Sequence, residues 1–279
     1  MPSAAVSPCP IPAMRTLPAL ALLALAAAAP AAAQGIAVPV RCHGDCPPPA
    51  RMPRILTLDS VQVSATVEDR GATTYVRHVF RNGTAGSIDA AFFFPLPDDA
   101  TLTTVSVYEG SELEVYNQWS RPEEARWILD GIARERPGSG LEAYAGRRLV
   151  HVHLPSVPPG GTQRIQIGYS QPPRPEGATR GYRYPLSVGA AAAPMRALDL
   201  VVVVRTGVGF GDLRSPGHDV DVQMGTELGR CPPTSRCGTM SVPSHRVKVV
   251  RLKSGHDLRA RDFELVYTPL KGSGPSGPR

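Results

Sequence analysis

Three sets of residues could do chemistry. His151 and His153 lie two apart, so in an extended segment they share one face and could chelate a metal. No carboxylate or third histidine lies close in sequence, and the reading adopted is a solvent-facing pair. Cys42-His43-Gly44-Asp45-Cys46 could bind a metal through thiolates if reduced. Gly207, Gly209 and Gly211 follow an apolar run in the segment 205–212 and resemble a phosphate-binding loop. That spacing falls one residue short of a dinucleotide fingerprint, and Ser215-Pro216-Gly217 breaks any helix that would present its N-terminus to phosphate. The chain has no G-x-S-x-G, Walker loop or H-E-x-x-H sequence. No catalytic residue, metal or cofactor is therefore assigned.

The cysteines depend on compartment. From Met14 onward, one arginine precedes an apolar run of leucine and alanine that ends in Ala31-Ala32-Ala33. These are the three parts of an export signal, with cleavage expected near Ala33-Gln34. The true start is Met1 or Met14. The apolar run is about a dozen residues, short of the ~20 needed to span a bilayer. Cys9 falls in the leader, which leaves Cys42, Cys46, Cys231 and Cys237. In an oxidising compartment four cysteines read as two disulfides. Local loops Cys42–Cys46 and Cys231–Cys237 are the simplest of the three connectivities. A four-thiolate zinc site is the rival, and a staple between the two pairs stays open.

The formal net charge is +6, and loss of residues 1–33, which hold one arginine and no acid, makes it +5. Lysine and arginine are scattered without a block of five. That suits a solvated basic surface with some affinity for polyanions and argues against nucleic acid as the partner.

The elements that must position these groups are mostly strands. Leu56, Leu58, Val61, Val63, Ala65 and Val67 alternate with polar residues, the sign of a half-buried strand. Residues 73–80 form a second strand. Asn82-Gly83 is a turn dipeptide, so 73–96 is expected to be a hairpin. The triplet Asn82-Gly83-Thr84 is also a glycosylation sequon, which a turn explains without sugar. Phe92-Phe93-Phe94 reads as a strand covered on both faces, with Phe92 and Phe94 on one side and Phe93 on the other. Pro95 and Pro97 remove donors and end it, and Asp98-Asp99 suit the turn beyond.

One short helix is expected near 121–135. Ser120 and Glu123 are spaced as a capping box, with Pro122 in the first turn. Ala125, Ile128, Leu129 and Ile132 make its apolar stripe. Strands are expected again at 147–157, 163–171, 197–205, 218–224, 245–253 and 262–269. The fold class is mainly β, a β-sandwich of antiparallel strands with one short helix. The organisation is an export signal at 1–33, a Pro-rich leader with a cysteine pair at 34–54, a β domain at 55–171, a C-terminal β region packing with it at 172–270, and a flexible tail at 271–279.

In order, these segments resemble the VIT domain, a module shared by vault proteins and the heavy chains of inter-alpha-trypsin inhibitor. The resemblance rests on Phe92, Phe94, Pro95, Leu96 and Pro97 leading into a turn, then on Pro158-Pro159-Gly160 before a strand ending near Tyr169. Further on, Ser215-Pro216-Gly217-His218 is similar to the family's S-P-x-H stretch, and Asp262-Phe263 opens a strand similar to its D-F-x-L-x-Y. It covers roughly residues 55–269. Many relatives have a helix closer to K-x-x-A-x-x-x-Y, where this chain has Trp127 and Ile128. Relatives usually continue into a von Willebrand A domain with a D-x-S-x-S motif, which does not occur here. The resemblance implies that the Phe-Pro-Leu-Pro segment is structural.

The expected function is that of an exported, periplasmic or secreted, non-catalytic protein that mediates protein–protein or cell-surface contacts. Its partner is expected to be a separate chain, for instance one bearing a von Willebrand A domain. A metal-binding or enzymatic periplasmic protein and a carbohydrate- or polyanion-binding surface module are the alternatives.

Overall fold

The computed structural model describes residues 35–47, 56–109, 112–115, 119–135, 141–186, 195–230, 239–253 and 261–270. The export signal, Cys231, Cys237 and the tail at 271–279 lie outside the described residues.

The largest sheet has eight strands. In chain order its members are β2 (Leu56–Glu68), β3 (Gly71–Asn82), β5 (Thr101–Glu109), β6 (Glu112–Val115), β8 (Thr162–Gln171), β11 (Ala197–Arg205), β13 (Val220–Arg230) and β14 (Thr239–Leu252). Across the sheet they run β13-β14-β11-β2-β3-β8-β5-β6. A three-stranded sheet is ordered β1-β4-β7, from β1 (Ile36–His43), β4 (Ser87–Pro95) and β7 (Leu149–Val157). A four-stranded sheet is ordered β12-β15-β10-β9, from β9 (Arg174–Glu176), β10 (Thr179–Tyr184), β12 (Phe210–Arg214) and β15 (Phe263–Pro269).

The eight-stranded sheet packs one face on the two smaller sheets, and a single apolar core lies between them. Val63, Val76, Ile167 and Val202 from the large sheet meet Phe92, Phe94 and Val152 from one partner and Tyr184, Phe263 and Leu265 from the other. The segment 172–270 therefore shares its core with 55–171. Helix α1 (Pro122–Glu135) covers the far side of the three-stranded sheet. There Phe93, Val38 and Leu149 pack against Ala125 and Leu129.

This layering accounts for the phenylalanine run. All three rings are fully buried, Phe92 and Phe94 toward the large sheet and Phe93 toward the helix, as the sequence predicts. A strand covered on both faces needs no polar alternation. The strand ends at Pro95, and Ala100 N–H donates to the Pro97 carbonyl at 2.9 Å to close the turn.

Several expectations are corrected. Residues 73–96 are not a hairpin: β3 pairs with β2 and β8, whereas β4 pairs with β1 and β7. Gly83 lacks the positive φ that a two-residue hairpin turn demands, so Asn82-Gly83 carries the chain from one sheet to the other. The strands are not all antiparallel. β11 runs parallel to β2, from Ala197 beside Ser60 to Val204 beside Val67, and the excursion through β9 and β10 supplies the crossover. The leader at 34–54 contributes β1, which pairs with β4 along Ile36–His43. Ser120 does not cap the helix: its hydroxyl bonds Nδ1 of His151 at 3.0 Å, and Pro122 is the first helical residue.

Candidate functional site

The residues first considered for chemistry have structural partners. His151 bonds Ser120, and its ring lies 5.0 Å from that of Phe93. Burial, with a smaller contribution from His153, lowers its pKa, and the Glu124 carboxylate partly opposes this. His153 is exposed, and no group of three metal-ligating side chains occurs among the described residues. Cys42 and Cys46 form a disulfide, so their sulfurs are not thiolate ligands. His43 Nε2 lies 3.1 Å from an Asp89 carboxylate oxygen. The glycine loop holds a carboxylate where a phosphate would sit: Asp69 accepts from Gly207 N–H at 3.1 Å. Strand β12 follows, with no helix.

The motif residues gather at two places. At one end of the sandwich, the β3–β4 and β7–β8 crossovers lie side by side. Gly161 N–H donates to the Pro158 carbonyl at 3.0 Å, and Gly160 has φ +64°. Proline then glycine at the two central positions is the requirement of a type II turn, which explains Pro158-Pro159-Gly160. Asn82 ties the crossovers together. Its fully buried amide donates to the carbonyls of Gly86, Val157 and Pro158 at 2.8, 3.0 and 3.1 Å, and its Oδ1 accepts from Thr84 N–H and Oγ1. This use of Asn82 was not read from the sequence. Its position beside a glycine hid a side-chain role behind a turn signal.

At the other place, Pro95, Leu96 and Pro97 form one wall of an open cleft of about 410 Å³. Arg147 and Arg148, just before β7, stand beside them. Arg174 of β9, Arg183 of β10 and Asp262 before β15 also line it. The cleft therefore lies where the Phe-Pro-Leu-Pro corner meets the four-stranded sheet, and residues from both halves of the chain build it.

Its guanidinium groups are held in place. Arg174 donates Nε–H and Nη2–H to one oxygen of Asp99 at 3.0 and 2.7 Å, while Gln171 donates to the other oxygen at 3.1 Å. Burial alone would raise the Asp99 pKa, but these hydrogen bonds and the Arg174 charge bring it below its ordinary value. Arg183 holds Asp262 in the same way at 3.0 and 2.7 Å. Arg148 donates to the carbonyls of Asp98 and Ala100 at 3.3 and 2.7 Å.

The remaining motif residues pack against or bond to neighbouring strands. The Tyr169 ring is buried 6.1 Å from Phe94, and burial drives its phenol pKa well up. Pro216 and His218 lie in the turn after β12. There the His218 ring packs 5.8 Å from Phe263, and Ser215 Oγ–H donates to the Glu264 carbonyl.

Residues 58–169 match the family described as the vault protein inter-alpha-trypsin domain, VIT. No curated protein matches the chain. Among solved structures, a Legionella pneumophila protein described as a candidate nutrient-binding protein aligns at 12% identity and a TM-score of 0.43, over 85% of this chain and 72% of that one. An M1 zinc metallopeptidase from Deinococcus radiodurans aligns at 13% identity and a TM-score of 0.37, over 78% of this chain and 43% of that one. The family match spans the Phe-Pro-Leu-Pro corner, the helix and the Pro-Pro-Gly turn, and residues 58–169 of this chain are a vault protein inter-alpha-trypsin domain.

Proposed function

We propose that this chain is an exported, non-catalytic interaction protein that uses its VIT domain to hold a protein partner in the cell envelope or at the cell surface. One observation carries the reading: the Phe-Pro-Leu-Pro corner of the VIT domain forms a wall of an arginine-lined cleft instead of being wholly sealed in the core. VIT domains occur in proteins that interact with other proteins, which supports a protein as the occupant. The engagement of His151 by Ser120 and of Cys42 by Cys46 supports a non-catalytic role. Export is supported by the leader sequence and by the disulfide, which persists in an oxidising compartment. A separate chain bearing a von Willebrand A domain is the specific partner we favour.

The test is crosslinking in intact cells, capture of the tagged chain and mass spectrometry of what comes with it. A reproducible partner, together with a mature N-terminus near Gln34, supports the reading. A chain that keeps its leader inside the cell, or one that captures nothing under several growth conditions, overturns it.

A further inference from the structure

Strand β13 ends the eight-stranded sheet, and among the described residues only β14 pairs with it. β11 pairs with β14 from Val247 to Arg251 and no further, so residues 225–230 and 239–244 run on beyond the sheet as a two-stranded ribbon. Such a ribbon is marginally stable in water, and a third strand beside an apolar face completes it. Val222, Met224 and Leu228 of β13 are exposed, Leu228 at 80%. Strand alternation puts all three on one face, the one on which Val222 stands beside the buried Val250. β13 has no lysine or proline to discourage a further strand. Its acids are engaged within the chain: Asp221 accepts from Gln223 at 2.7 Å, and Glu227 lies 3.7 Å from Arg246. We infer that β13 pairs antiparallel with β13 of a second copy of this chain, joining two eight-stranded sheets across a two-fold axis at Gly225. Such pairing is independent of the partner proposed above.

A second copy fits because the strand is complementary to itself. Residues directly opposite in an antiparallel pair share a face, so a two-fold axis normal to the sheet must pass through a residue, not between two. Gly225 is the midpoint of Val220–Arg230, and an axis there pairs the strand along its whole length. It sets Val222 opposite Leu228 of the second copy and Met224 opposite Thr226 of the second copy, which closes the apolar row. On the other face Asp221 stands opposite Gly229 and Gln223 opposite Glu227, so no like charges meet. An axis one residue earlier, at Met224, would set Asp221 against Glu227, a destabilising pair. One residue later, at Thr226, Val220 and Asp221 would pass beyond the end of the opposite strand. A single strand pair is a small interface, so the expected Kd is about 10 μM.

The test is sedimentation velocity of the mature chain from about 1 to 200 μM. The expected result is a doubling of mass with a midpoint at about 10 μM. Leu228→Lys is expected to raise that midpoint at least about tenfold, because a charge enters the apolar row. Trp127→Lys, the same kind of change at an exposed site on α1, is expected to leave it unchanged. If Leu228→Lys lowers the Tm, Thr226→Lys is read in its place, since Thr226 is also exposed and stands opposite Met224 in the pair. The register is read by mixing Gln223→Cys chains with Glu227→Cys chains under mild oxidation and mapping linked peptides by mass spectrometry. The mixture is expected to link position 223 to position 227. Neither chain alone is expected to link through its new cysteine, because like positions stand four residues, about 13 Å, apart along the pair. A monomer at every concentration, a dimer indifferent to the lysine on β13 or equally lost with Trp127→Lys, no 223–227 link in the mixture, or a link in either chain alone overturns the proposal. Addition of a strand from a different protein to a monomeric chain overturns it as well.

Discussion

The side-chain amide of Asn82 donates to the Val157 carbonyl at 3.0 Å, joining two of the connections between the three-stranded and the eight-stranded sheet, β3–β4 and β7–β8. With the bonds to Gly86, Pro158 and Thr84, every polar atom of this buried side chain is satisfied. Asn82→Ala removes them together, and only the Gly86 carbonyl keeps a side-chain donor, the Thr84 hydroxyl at 3.0 Å. The expected cost is at least about 3 kcal/mol, since each orphaned buried group costs about 1–3 kcal/mol. Asn82→Asp is expected to be worse at neutral pH, because a carboxylate would face three carbonyl oxygens, and to recover as pH falls and it protonates. Urea denaturation at two pH values checks both. A loss under about 1 kcal/mol for the alanine variant would mean that the crossovers are held by their backbones alone. The same burial predicts that Asn82 in the folded protein is not an acceptor for glycosylation.

His78 is a second buried polar group with an electrostatic consequence. It sits among Phe80, Phe92 and Phe94, and its Nε2 accepts from Gly35 N–H at 3.3 Å. Burial lowers its pKa from 6.5 to about 3. Between those values the unfolded chain binds a proton that the folded chain excludes. The contribution of His78 is therefore intact above about pH 6.5 and is lost as pH falls toward 3. The slope approaches about 1.4 kcal/mol per pH unit within that window. His78→Phe is expected to flatten the acid-side loss relative to the natural chain, even though it gives up the bond to Gly35. Denaturation midpoints at pH 7 and pH 4.5 for both proteins measure the difference. Parallel pH profiles would show that this histidine is not the group involved.

Much of the fold can be read in the chain because burial imposes period and parity. The apolar phase of β2 slips from Leu56 and Leu58 to Val61, Val63, Ala65 and Val67, and the register shift between Leu58 and Ser60 is the physical counterpart of that slip. Phe92 to Phe94 likewise declares two covered faces. What could not be read is pairing. Asn82-Gly83 suits a hairpin locally, and only the long-range acceptors at Val157 and Pro158 turn it into a crossover. Ser120 suits a helix cap, and only the proximity of His151 redirects its hydroxyl. The cleft was invisible for the same reason: Arg148, Arg174, Arg183 and Asp262 are scattered single charges until the three-stranded and four-stranded sheets bring them together.

Glycines near the crossovers should differ according to why they are needed. Gly160 has φ +64° with open space around an added Cβ, so Gly160→Ala bears only the backbone cost of about 1 kcal/mol. At Gly86 an added Cβ would stand 2.7 Å from the His43 carbonyl oxygen and 3.1 Å from Cys42 Sγ. Gly86→Ala must push away β1 and its disulfide loop, with an expected cost above that of Gly160→Ala. Thermal unfolding ranks the two, and hydrogen exchange should show early opening of Ile36–His43 only in the Gly86 variant. The opposite ranking would mean that β1 yields without penalty.

The helix separates apolar residues that look alike in sequence. Leu129 is 2% exposed against Phe93 and Ala125, whereas Trp127, the larger side chain two residues earlier, is 73% exposed. Helical geometry explains the contrast: with 3.6 residues per turn, Ala125, Leu129 and Ile132 fall on one face, and Trp127 lies roughly opposite Leu129. Leu129→Ala opens a cavity over the Phe93 ring and is expected to cost about 2–4 kcal/mol. Trp127→Ala removes far more surface from the chain but almost none from the core, so its expected effect is within about 0.5 kcal/mol. Chemical denaturation of the two variants tests this directly. A large loss at Trp127 would mean that its ring is covered in the folded protein, and that the outer face of α1 is a contact surface in solution.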